Sequence, residues 1–155
     1  MTSCGWGAAR LRISSRCGDS TASTTPCAAP GSSVILGGVS AGSLCWHMGG
    51  TTDSFGQILQ PVTNALGFLP YANGVHYDAE AQRRPLLHVL MKTAVLGPLA
   101  YAPDNTVGVW YEGIEATTVV ADSDVNPASG PAAYKVELVD GDIVETRFGV
   151  GSSFD

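Results

Sequence analysis

Apolar and polar positions alternate along this chain in two different ways. In AEAQRRPLLHVLMKTA, Leu86, Leu87, Leu90 and Met91 recur at helical spacing, and Pro85 is compatible with a helix only near its first turn. That stretch predicts the clearest helix. Further on, TVGVWYEGIEATTVV and AAYKVELVDGDIVETRF alternate with period two, and the second reverses at Asp140-Gly141, a pair that suits a hairpin turn. The C-terminal third is therefore predicted to be β-rich. Nearer the start, the aliphatic run Val34 to Leu36 predicts a short buried strand, followed by a turn and a helix from about Ser40 to Met48. GGTTDSFG reads as a long loop. QILQPVTNALGFLP reads as loop plus a short strand, because Pro61 and Gly67 discourage a continuous helix.

Before Val34 no such pattern exists. Residues 1–33 are rich in Ser, Thr, Ala, Cys and Arg and show neither periodicity; they carry +2, which leaves −8 on residues 34–155. They read as a low-complexity leader or an out-of-frame segment, with a single domain over residues 34–155.

Composition narrows the function classes. A chain of 155 residues with 45% hydrophobic and 14% charged residues has the makings of a packed core. A net charge of −6 argues against nucleic-acid phosphates or an anionic membrane as partners. No apolar run reaches the roughly 20 residues that span a bilayer, and no signal peptide precedes the domain, so a cytoplasmic location is expected. Of Cys4, Cys17, Cys27 and Cys45, three crowd into the leader and none shows C-x-x-C spacing, which argues against a disulfide framework or a metal site.

The candidate chemistry lies in ILGGVSAGSLCWHMGG. Gly38-Val39-Ser40-Ala41-Gly42 satisfies G-x-S-x-G after an apolar run and before a helix, the setting in which a serine hydroxyl is exposed on a sharp turn. The backbone N–H of Ala41 would then face developing negative charge. A hydroxyl needs a base. Among the three histidines, His47 is expected two helical turns from Ser40 and His88 falls in an apolar helix, whereas His76 stands in the polar loop PYANGVHYD. Asp53 is the first choice for the acid that orients the base, with Asp78 and Glu80 as alternatives.

GGVSAGSLCW, GGTTDSFG and ALGFLPYANGVHYDAEAQRRPLLH, in that order, resemble the peptidase E family of serine peptidases, the aspartyl dipeptidases, from about Val34 to Phe148. The resemblance implies an α/β fold like the class I glutamine amidotransferases, a three-layer sandwich with a mostly parallel sheet. It also implies Ser40 as nucleophile, His76 as base and Asp53 as acid, acting on small peptides with an N-terminal aspartate and without a metal or organic cofactor. Arg83 or Arg84 would meet a substrate carboxylate. Nothing in residues 1–33 matches the family's N-terminal strands or its glycine-rich oxyanion loop, so the domain is expected to be incomplete at that end. Two further readings share the scaffold: a non-catalytic or inactive truncated amidotransferase-like domain, and a cyanophycinase-like hydrolase.

Overall fold

The computed structural model describes residues 35–56, 58–122 and 124–154. The leader and three of the four cysteines lie outside them. In chain order the elements are α1 (Ala41–Leu44), β1 (His47–Thr52), β2 (Gln60–Val62), β3 (Leu69–Asn73), α2 (Arg83–Lys92), β4 (Leu99–Pro103), β5 (Val107–Glu112), β6 (Glu115–Ala121), β7 (Ala132–Val139) and β8 (Asp142–Gly149). The fold is α/β.

Six strands form one sheet in the order β2-β1-β3-β4-β7-β8, and β5 with β6 forms a separate ribbon. The pairs β1–β3 and β3–β4 are parallel, while β2, β7 and β8 join antiparallel. The sheet is thus mixed, not mostly parallel as expected. For β8 the reason is local: it is joined to β7 by the short turn at Asp140-Gly141, where both residues have positive φ (51° and 90°), and so tight a connection can only reverse the chain.

Alternation along β4 assigns the two faces. Ala100 and Ala102 pack with Ala72, Val136 and the α2 residues Leu87, Leu90 and Met91 in the buried core. Burial of each large α2 side chain stabilises by about 1.5–3 kcal/mol. Tyr101 points the other way, edge-on to Tyr71 of β3 at 5.1 Å and to Tyr111 of β5 at 5.8 Å. Helix α2 therefore covers one face of the sheet and the β5–β6 ribbon the other. Burial raises the Tyr101 phenol to about 12 and Tyr111 further still, so both are neutral donors at ordinary pH.

Three expected elements differ. GGTTDSFG is not a loop at its start: Gly49 and Gly50 lie inside β1, where a Cβ would sit 2.0 Å from the carbonyl oxygens of Val62 and Asn73 respectively. These glycines serve close strand packing. The helix after Ser40 ends at Leu44, because His47 and Met48 already belong to β1. The run before Ser40 forms no strand among the described residues, and Ile35 and Leu36 are exposed. A strand needs a neighbour to satisfy its N–H and C=O groups, and no described strand pairs with this one.

Candidate active site

The loops after β3 and β4 meet the turn before α1 at the carboxyl ends of the parallel strands, where open α/β sheets form their clefts. A cavity of about 430 Å³ opens there, with Ser40 and His76 in its wall and the ribbon along its side.

Ser40 is held at φ 55°, ψ −124°, a conformation that costs a non-glycine residue on the order of 1–3 kcal/mol. Its carbonyl accepts the N–H groups of Ser43 (2.9 Å) and Leu44 (3.0 Å), which fixes the turn to the short helix. Gly38 makes the turn possible. A Cβ there would lie 2.1 Å from the Gly42 carbonyl oxygen, so the backbone passes where no side chain fits. The first glycine of G-x-S-x-G is thereby explained sterically.

His76, also at positive φ (56°), lies with Nε2 2.8 Å from Ser40 Oγ. Its Nδ1 lies 2.5 Å from Asn105 Oδ1 in the loop after β4. An amide oxygen can only accept, so Nδ1 carries the proton and Nε2 is left to accept the Ser40 O–H. The loop is anchored twice. Asp78 Oδ1 accepts the Asn105 N–H at 2.8 Å, and Asp104 exchanges two 2.9 Å bonds with the backbone of Ala132 at the start of β7. Burial pushes the Asp104 carboxyl up, and the Ala132 N–H offsets part of that rise.

Beneath this pair lies a neutral polar floor. His47 is buried, its Nδ1–H donates to the Ser43 carbonyl (2.9 Å), and its Nε2 accepts from the Tyr111 hydroxyl (3.1 Å). Burial pushes the His47 imidazole down, an effect that the Ser43 carbonyl partly opposes. His47 does not lie on the helix after Ser40, as its spacing suggests, but on β1 with both ring nitrogens engaged.

The structure brings together Ser40, Ala41 and His76, and it does not bring Asp53 to them. Asp53 is half exposed and pairs with Arg83 at 3.2 Å, as does Glu80, so neither carboxylate meets His76. Where Asp53 was expected beside Nδ1, this structure has Asn105, with Asp53 on Arg83 instead. Arg83 is buried beneath Asp53, Glu80 and the Val75 carbonyl. Arg84 lies over the rings of Tyr77 and Tyr134 and pairs with Glu145 at 3.2 Å. Neither lines the cavity. His88 bonds Tyr77 and Glu145 in that same network, as a structural histidine would. Asn105 was missed because an amide is not an acid; its signal was its place just after the apolar strand LAYAP.

No helix among the described residues is long and apolar enough to cross a membrane. Comparison with known proteins matches residues 28–119 to the family described as Peptidase family S51. A protein of Bacillus subtilis (strain 168), "Uncharacterized peptidase YgaJ", is 34% identical over 114 residues, which cover 72% of this chain and 45% of that protein. The chain thus spans about half the length of the curated relative it matches. No solved structure matches significantly.

Proposed function

This chain belongs to peptidase family S51, the peptidase E family, and on that premise we propose that it is a serine-type peptidase hydrolysing small peptides through an acyl-enzyme. The observation that carries the reading is the 2.8 Å contact between His76 Nε2 and the hydroxyl of a strained Ser40. Strain at that residue costs stability and is repaid only if the hydroxyl must stand clear of its own backbone.

In the proposed reaction His76 Nε2 takes the Ser40 proton as Oγ bonds to the scissile carbonyl carbon, giving a tetrahedral oxyanion. The Ala41 N–H at the start of α1 donates to that oxygen. The imidazolium then protonates the leaving amine, the C–N bond breaks, and an ester to Ser40 remains. Water, deprotonated by the same nitrogen, hydrolyses the ester and frees the serine. Asn105 holds the tautomer throughout. The α/β sheet, with its nucleophile on a turn into a helix, supports reading the domain as class I glutamine amidotransferase-like.

A phosphonylating serine probe tests the reading. A single adduct in the intact mass of the natural chain, absent from Ser40→Ala, is expected. A folded natural chain that takes no adduct, or a Ser40→Ala chain labelled equally, would contradict it.

A further inference from the structure

The base of the proposed reaction is anchored from behind. His76 stands in the cavity wall, whereas the side chain of the next residue, Tyr77, is buried in the core with Leu87, Leu90 and Val136. Its hydroxyl donates to Glu145 of β8 and lies 2.9 Å from His88 Nε2 of α2. Its ring packs on Tyr134 of β7 at 5.4 Å and lies 4.5 Å beneath the Arg84 guanidinium. Glu145 is itself held, by Arg84 at 3.2 Å and by His88 at 2.6 Å. The backbone adds a bond from the Tyr77 N–H to the Pro103 carbonyl (3.1 Å), at the end of the strand that leads to Asn105.

These contacts bear on a conformation that cannot hold itself. At φ 56° His76 is strained, and a non-glycine residue stays there only where its surroundings over-determine it. One residue away, a phenol tied to a carboxylate, among the stronger hydrogen bonds a side chain makes, fixes the chain to α2 and β8 and leaves the His76 backbone little room to turn. Relaxation to negative φ would swing the imidazole away from both Ser40 Oγ and Asn105 Oδ1. We propose that Tyr77 is a positioning residue, whose hydroxyl, bonded to Glu145 and His88, keeps the adjoining His76 in the conformation that meets Ser40. The inference rests on the serine-peptidase reading of Ser40 and His76 and adds to it a residue outside the cavity. Tyr77 acts on the fraction of chains whose imidazole is in place, so its loss scales the rate by that fraction.

Nitrogen–proton correlation spectra of the imidazole rings, taken above the ordinary histidine range, read His76 in the folded chain without any turnover. The natural chain is expected to show it as the Nδ1–H tautomer that Asn105 selects, its signals identified by their absence from His76→Gln. In Tyr77→Phe, which keeps the ring and its packing, that signature should average towards the Nε2–H form of a free imidazole, and labelling of Ser40 by the phosphonylating probe should slow about tenfold. Glu145→Ala removes the acceptor and leaves Tyr77 in place; it is expected to repeat both changes, and it stands in if Tyr77→Phe does not fold. Leu90→Ala loosens the same core without touching the hydroxyl and should alter neither. Equal changes in all three variants would trace to stability and overturn the proposal, as would an unmoved His76 tautomer in folded Tyr77→Phe. A natural chain with the expected spectrum that takes no adduct sinks the peptidase reading, and the tautomer in Tyr77→Phe then decides the positioning role by itself.

Discussion

Asn105 does half of what a carboxylate would do beside a catalytic histidine. Its oxygen holds the Nδ1–H tautomer, so Nε2 faces Ser40, but it brings no charge to balance the imidazolium that forms when the serine proton moves. Asn105→Ala is expected to lower kcat/KM by about 10²-fold with an unchanged circular dichroism spectrum, since the side chain is exposed and its anchoring to Asp78 runs through the backbone. Asn105→Asp should restore most of that loss, because one carboxylate oxygen can accept the same proton. A full loss in both variants would mean that the loop, and not the acceptor, matters.

At the scale of elements, the turn into α1 depends on Gly38 as much as on Ser40. A Cβ at Gly38 would overlap the Gly42 carbonyl, so Gly38→Ala is expected to destabilise by about 1–3 kcal/mol and to slow serine labelling, read by urea denaturation and by the rate of adduct formation. This turn was legible in the sequence, as were α2 and the β7–β8 hairpin, because each is decided by residues close together. Periodicity, a tight turn and a five-residue motif are local signals. Long-range choices were not legible. Gly49 and Gly50 look like loop residues until Val62 and Asn73 are seen against them. Asp53 and Asn105 each follow a strand that flanks β3 in parallel, and only the side-chain contacts, Asp53 with Arg83 and Asn105 with His76, tell them apart. The direction of β7 likewise followed from a pairing partner and not from its own pattern.

Across the whole molecule, the contact between sheet and ribbon is tied to protonation. His47 is buried neutral between them and bonded to Tyr111, with its pKa held below the usual 6.5. The unfolded chain therefore binds the proton first as pH falls, and stability rises with pH between the folded pKa and 6.5. Acidification from pH 7.5 to below the ordinary histidine range is expected to lower the urea midpoint, by up to about 1.4 kcal/mol per pH unit in that window, and His47→Gln should flatten the dependence. Asp104 works in the opposite sense. Its raised pKa means that the folded state holds the proton more tightly, so its contribution to stability grows as pH falls from its folded pKa towards 3.8. A midpoint indifferent to pH between those limits would place His47 outside the cooperative unit.

The hairpin of β7 and β8 gives the molecule two poles. Ala132, at one end of β7, is bonded to Asp104 at the cavity, whereas Asp140-Gly141 closes the far end. Eight strand residues separate them, roughly 26 Å of extended chain. The far turn is therefore a mooring point: a fluorophore, an affinity handle or a surface linkage carried at Asp140 would leave the cleft open to solution while the sheet itself serves as the spacer.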